Sequence, residues 1–592
     1  MRFGRVLAWM LAICSLPGWA QVNYHIEITE PEHHLARITL TLPTSPAGEV
    51  VLQLPNWRTG RYQLLPMADG IRRFQAEDGE GRTLAWRKSD RASWTVSRSE
   101  PGALKIQYQV HANELGDRSR HIDDSHAYLN ASGVLMYAEP WRDSEAVVSL
   151  SVPESWRSDS GLKRLGAHRF QAADYDVLVD SPIETGLHQH FEFHVDGRDY
   201  RVLFWGEGNY DAGKIVEDLK ALAATGGRYF GREYPFESYL FIIHATDGVR
   251  GATEYRNSTV IQRPRWRFAS REDHLSLMST AAHELVHTWN VKAYRPRGLV
   301  PYDYQNDNYS RLLWFAEGGT SYLENFWLLQ AGVMTHEEFL SRLAERIQRF
   351  MARPGVSEQS VAEASFDNWI ARGGDYGNNH SVSIYSEGFM ASWALDLWLT
   401  KGGSSLQALH QALYRQHALP ESYGEADLRR LMQLLTGRSA ESWWRQNVEA
   451  PLLLPIDAWL EQLGLSLVWP EAREWDPGWQ LGEEGADLLT GVRRGSAAWE
   501  AGLTPGDRLV AIEGLRWQPG DWAARLGDPE PDQSVTVTLF RRERLITREL
   551  PWRVQPKGAP SLAPLASTTA TQRAAFARWT GTPWPFDSEP GK

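Results

Sequence analysis

From Tyr24 to about Tyr200 apolar and polar residues alternate. Ile38, Leu40 and Leu42 are separated by Thr39 and Thr41, and Leu104, Ile106, Tyr108 and Val110 repeat the pattern. A period of two puts every second side chain on one face of a strand, and with Gly, Pro and Asp turns at short intervals it predicts an N-terminal β-sandwich over residues 21–205. The period then changes. In "AGKIVEDLKALAA" Ile215, Val216, Leu219 and Leu222 share a helical stripe, a strand "SYLFIIH" follows, and helical spacing recurs over 272–293, 310–331, 336–351, 387–400 and 405–416. Residues 206–470 therefore read as a mostly helical domain with a few strands. Beyond the Pro-, Gly- and Trp-rich "WPEAREWDPGW", a small unit over 478–555 carries "GVRRGSAAWEAGLTPGDRLVAIEG" and an alternating strand "SVTVTLFRR". The tail, 556–592, is rich in Pro, Ala, Ser and Thr, which predicts an extended or loosely docked segment.

The first twenty residues break from this texture. Arg2 and Arg5 precede "VLAWMLAICSLPGWA", an apolar run ending in small residues near Ala20, the pattern of a secretory signal too short to span a membrane. Cys14, the only cysteine, lies inside it, so the mature chain is expected to lack disulfides and thiol catalysis. No later run is apolar enough for a membrane span, and an exported protein, most simply of a bacterial periplasm, is expected. The net charge of −12, which loss of Arg2 and Arg5 would lower to −14, argues against nucleic-acid binding. With 592 residues, the chain is too long for a single hydrophobic core.

One stretch carries chemistry. "STAAHELVHTWNVK" places His283 and His287 four residues apart, one helical turn, so that both imidazoles can address one point; that is the geometry of two zinc ligands. Glu284, rotated by one residue, can reach a water at such a metal. Ser270 and Asp273 fit an N-terminal capping box, and Leu275, Met278, Ala282, Leu285 and Trp289 supply an apolar face. A catalytic zinc needs a third protein ligand and an open position. The next apolar-faced helix offers Glu317 in "RLLWFAEGGTSYLENFW", on a stripe where an unpaired carboxylate would be costly. Thr320 or Ser321, a turn further on, stands where it can orient a ligand.

With these residues in place, the sequence resembles the glycyl aminopeptidase family: PDZ-bearing zinc metallopeptidases of the gluzincin type, with an α+β thermolysin-like catalytic domain. The resemblance rests on "HELVHTWNVKAYRPRG", "YDYQNDNYSRLLWFAEGGTSYLENFWLLQAG", "SIYSEGFMASWALDLWLTKGG" and "AGLTPGDRLVAIEG". Upstream it adds "LPNWRTGRY" with Pro55, Trp57, Gly60 and Tyr62, attributed to the N-terminal β-domain. It implies one zinc held by His283, His287 and Glu317, Glu284 as general base, and Tyr385 in "IYSEG" as hydrogen-bond donor to the oxyanion. It further implies Glu254 in "GATEYRNS", beside Gly251 and Ala252, as the group binding the substrate's free α-amino end, with small first residues such as glycine or alanine preferred. Two departures stand out. The family's Gly-Gly-Leu-Glu-His becomes Gly251, Ala252, Thr253, Glu254, Tyr255, and its lysine near the tyrosine becomes Glu387.

The resulting expectation is a zinc aminopeptidase acting on peptides with a free amino terminus. Two alternatives fit the same residues: a zinc endopeptidase of this fold, and a peptide-binding protein in which the PDZ-like unit carries the function. That unit either takes a peptide end by strand addition near "WQLGEEG" or serves as a structural module.

Overall fold

The computed structural model describes residues 21–483, 486–520, 522–527 and 533–586. The expected secretory signal, residues 1–20 with Cys14, lies outside the described residues, as do Glu484 and Gly485 of the "WQLGEEG" loop.

The chain divides into two units: one from the segment ending at Asn56 together with Leu65–Gln189, the other from Trp57–Leu64 and the chain from His190 onward. The first is β-rich. Its seven-stranded sheet pairs Leu35–Ser45 with Gly102–His111 so that Ile38 faces Tyr108, Leu40 faces Ile106 and Leu42 faces Leu104. The two alternating runs of the sequence are thus cross-strand partners, and all six side chains are buried on one face.

The second unit is built around a five-stranded sheet, in the order Gln189–Val195, Arg198–Trp205, Ser238–Thr246, Ser258–Pro264, Gly251–Glu254. Ser238–Thr246 runs parallel to both its neighbours and is buried from Tyr239 to Thr246, which explains its continuous apolar reading. Gly251–Glu254 is an edge strand, antiparallel to Ser258–Pro264. The boundary expected at 205 is corrected here, because Arg198–Trp205 pairs with Ser238–Thr246 and so belongs to the second unit. Alternation shows that a segment is a strand; it does not say which sheet receives it.

Helix Arg271–His287 packs against this sheet, Gly319–Gln330 packs on that helix, and Ser386–Lys401 packs on Gly319–Gln330. Ser270 caps the first, its Oγ accepting from Asp273 N at 3.1 Å, and Leu275, Met278, Ala282 and Leu285 are buried, as the spacing predicts. The second is preceded by a π-helical turn, Trp314–Gly318, which contains Glu317. There the chain meets the start of Ser386–Lys401 backbone to backbone. A Cβ built on Gly318 would lie 2.2 Å from the carbonyl carbon of Gly388, and one on Gly388 would lie 2.8 Å from the carbonyl oxygen of Trp314. Only glycine fits on either side.

The PDZ-like part has a four-stranded sheet, Leu515–Arg516, Asp507–Ile512, Ser534–Arg541 and Arg544–Pro551, over a core holding Leu503, Leu509 and Ile512 as expected. In its hairpin strand Leu489–Val492, Val492 donates its N–H to Asp375 Oδ1 and accepts from Asn379 Nδ2, both at 2.8 Å, so this backbone is already engaged by helix Gly374–His380.

Over its described residues the tail is firmly docked rather than loose. Ser561–Pro564 pairs with Leu465–Val468, and residues Ala570–Thr580 form a helix whose Phe576 and Trp579 are buried. Trp579 Nε1 donates to the Tyr322 hydroxyl at 2.8 Å, and that hydroxyl donates to Asp396 Oδ2 at 2.7 Å. The Pro/Ser/Thr composition concealed a capping box, Thr569 with Gln572, and two aromatic anchors. Among the described residues no helix is long and apolar enough to cross a membrane.

Candidate metal centre

Helix Arg271–His287 delivers His283 and His287 at its last turn, with their Nε2 atoms 3.0 Å apart. Glu317 Oε2 lies 3.4 Å from His283 Nε2 and 3.2 Å from His287 Nε2. Two ligands each about 2.0–2.1 Å from a tetrahedral zinc lie roughly 3.3 Å from one another. The three atoms are therefore spaced as the base of such a tetrahedron would be, and a set of two imidazoles and one carboxylate suits zinc. The sequence placed Glu317 on a regular helical stripe; the π-turn instead supplies an extra residue per turn at that point, and such bulges often mark functional sites.

The atoms behind the donors are ordered too. His283 Nδ1 faces Glu324 Oε2 at 2.8 Å, and Glu324 Oε1 accepts from Arg346 at 3.0 Å and from Ser279 Oγ at 3.2 Å. His287 Nδ1 donates to the carbonyl of Asn290 at 2.9 Å. These bonds fix which ring nitrogen is left to face the centre. The Asn290 amide nitrogen lies 3.1 Å from the carbonyls of Phe315 and Ala316 and from Thr320 Oγ1, tying the π-turn to the end of the histidine helix. Thr320 reaches His287 Nδ1 only at 3.5 Å, so the orienting role considered for it falls mainly to Asn290. Tyr62 completes the shell, donating to Glu317 Oε1 at 2.6 Å. Sequence reading missed Glu324 and Asn290, and assigned Tyr62 to the N-terminal domain, whereas Trp57–Leu64 belongs to the second unit. Glu324 had a signal: it lies seven residues after Glu317, on the same helical face.

Charge is concentrated here. Burial pushes Glu284 up to about 7, with the charges of Glu254 and Glu317 adding to the rise and the two histidines opposing it. Burial would raise Glu317 as well, but His287 and His283 hold it well below the ordinary carboxylate range. His283 is raised despite its burial, because Glu317 and Glu324 bond to it. Glu284 Oε2 and Glu254 Oε1 are both buried without a hydrogen-bond partner, and a buried carboxylate oxygen left in that state is costly unless a ligand completes it.

Glu254, at 3% exposure, is not a solvated loop carboxylate. It ends the edge strand Gly251–Glu254, which also carries Gly251 and Ala252, and Gly60 approaches it so closely that a Cβ there would lie 2.6 Å from Glu254 Oε2. Tyr385 is 41% exposed at the start of helix Ser386–Lys401, its ring 6.2 Å from that of His283. His283, Glu284 and Tyr385 together line a cleft of about 1070 Å³. Of the departures from the family pattern, Tyr255 is buried, and Glu387 is buried, accepting from Ser383 N at 2.6 Å with Arg353 3.5 Å away. Its charge is answered locally.

Comparison with known families matches residues 23–187 to the Peptidase M61 N-terminal domain, 276–391 to M61 glycyl aminopeptidase and 488–542 to a PDZ domain. Among solved structures, an aminopeptidase N family protein from Idiomarina loihiensis shares the fold. It is 24% identical with a TM-score of 0.84, over 92% of this chain and 98% of that one. An M1 zinc metallopeptidase from Deinococcus radiodurans aligns over 74% of this chain and 95% of its own, at 17% identity and a TM-score of 0.47. No curated protein matches.

Proposed function

The chain belongs to the M61 glycyl aminopeptidase family and is a metallo-aminopeptidase carrying a PDZ domain, and from that premise we propose that it uses one zinc to remove small amino-terminal residues, glycine or alanine, from peptides. The observation that carries this reading is the triangle of His283, His287 and Glu317 beside two buried carboxylates, Glu284 and Glu254, each with an oxygen awaiting a partner.

His283 Nε2, His287 Nε2 and Glu317 Oε2 would hold the ion. A zinc ion held there would supply the Lewis acidity needed for water to attack near neutral pH and for the scissile carbonyl to be polarised. Glu284 takes the proton of the attacking water and returns it to the departing amine; an elevated carboxyl suits both transfers. The Tyr385 hydroxyl donates to the carbonyl oxygen as it gains charge. Glu254 pairs with the substrate ammonium, and the edge strand from Gly251 offers backbone groups for an extended peptide. Anchoring the amino end in this way selects the first peptide bond. The approach of Gly60 on Glu254 narrows the space beside the ammonium and supports the preference for small residues. An exported, periplasmic location belongs to the same proposal and rests on the leader-like residues 1–20.

A panel of amino-acid arylamides, assayed with and without a chelator and beside amino-blocked peptides, tests the reading. Chelator-sensitive release from glycyl and alanyl substrates is expected, with blocked peptides left intact. Efficient cleavage of blocked peptides would instead make the protein an endopeptidase.

A further inference from the structure

The N-terminal unit holds a second convergence of donor atoms, in "HIDDSH", residues 121–126. Strands Arg120–Ile122 and His126–Leu129 form a hairpin in which His121 pairs with Tyr128 and Ile122 with Ala127, and Asp123 N donates to His126 O at 2.9 Å. Residues two apart on a strand share a face, as do residues opposite one another across an antiparallel pair. His121, Asp123 and His126 therefore project to the same side, and each offers a donor atom within 4.8 Å of the other two.

The detail parallels the catalytic triangle. His121 Nδ1 and His126 Nε2 are 3.0 Å apart, the same separation as the Nε2 atoms of His283 and His287. On the far side of the ring, His126 Nδ1 faces Glu184 Oε1 at 2.7 Å with both side chains fully buried, as His283 Nδ1 faces Glu324. A carboxylate in that position keeps the proton on Nδ1 and turns the Nε2 lone pair towards His121 and Asp123. The Asp123 carboxylate is fixed at the turn through Oδ1, which accepts from Ser125 N at 2.8 Å, Ser125 Oγ at 2.7 Å and His126 N at 3.0 Å. His121 and Asp123 are only partly buried, so an ion has a route in.

We propose that His121, Asp123 and His126 form a divalent-cation site of the zinc class, built on none of the catalytic residues, which staples the hairpin of the N-terminal unit. Two imidazoles and one carboxylate favour zinc over calcium or magnesium, which prefer oxygen donors throughout.

The test uses the full chain without a histidine tag, stripped by a chelator, reloaded with zinc, passed through gel filtration and assayed for metal by mass spectrometry. Wild type is expected to retain a second equivalent of zinc. His283→Ala/His287→Ala should retain one equivalent, and its zinc X-ray absorption should show imidazole scattering. His121→Asn should lose the second equivalent while arylamide hydrolysis is kept. The proposal is overturned if His283→Ala/His287→Ala holds no tightly bound zinc, or if adding His121→Asn to that variant leaves its zinc in place. The first arm alters nothing in the hairpin, so it decides the matter even where a hairpin variant fails to fold. Metal content also answers independently of whether the chain proves to be an aminopeptidase.

Discussion

The Tyr62 hydroxyl donates to Glu317 Oε1 at 2.6 Å, across 255 residues of sequence. Burial and the neighbouring charges of Glu317 and Glu254 raise this phenol well above its ordinary value, so it stays protonated and remains a donor. Its bond leaves Oε2 as the oxygen facing the two histidines. Tyr62→Phe is expected to weaken zinc binding by about 10–100-fold while the chain stays folded. Competition with a fluorescent chelator measures this, and an unchanged affinity would remove Tyr62 from the metal's support.

Glu284→Gln preserves shape and removes the basic oxygen. Metal content should be unaltered while kcat falls by ~10³-fold. Substantial turnover in the metal-loaded variant would contradict the proton-transfer role.

Glu254→Ala separates recognition of the amino end from chemistry. The kcat/KM for free-amine arylamides should fall roughly 10–10²-fold, the worth of a charged hydrogen bond, with zinc content unaffected. An unaltered ratio of free to blocked substrates would leave the aminopeptidase selectivity without its anchor.

His410 makes acid stability testable. Fully buried, with Tyr294 OH bonded to its Nδ1 at 2.6 Å and its ring stacked on Phe315 at 4.9 Å, it is driven down to about 3 by burial. The fold thus refuses a proton that the unfolded chain accepts below about 6.5. This stabilisation is complete above that pH and declines as pH falls towards 3, at up to ~1.4 kcal/mol per pH unit. Denaturant midpoints between pH 7 and 4 should show a shallower acid decline for His410→Gln than for wild type. Parallel declines would exclude His410 as a source.

Trp579→Ala should cost about 3–5 kcal/mol, since it empties a buried site and leaves the Tyr322 hydroxyl without its indole donor. Thermal unfolding measures the loss; a midpoint at the wild-type temperature would mean the terminal helix is dispensable.

What the sequence disclosed followed from short-range geometry. One turn separates His283 from His287, so a helix alone brings them together, and strand alternation alone puts Leu40 and Ile106 each on the buried face of its own strand. Glu317 was singled out because a carboxylate among large apolar residues has to be compensated. Tyr62 and Asn290 were not legible, because their roles depend on where loops cross in three dimensions and no spacing encodes that. The tail was misread for a related reason: composition averages over a window, whereas one indole in the right cavity decides docking. Glu387 looked like an electrostatic problem until Arg353, from a distant segment, stood beside it.

The contact of Gly318 with Gly388 couples two parts of the centre mechanically. One glycine follows Glu317 directly; the other lies three residues after Tyr385. With no side chain between them, nothing at that crossing can absorb a displacement by changing rotamer. A side chain grown at either position would have to part the two segments, and with them Glu317 from the turn that carries Tyr385.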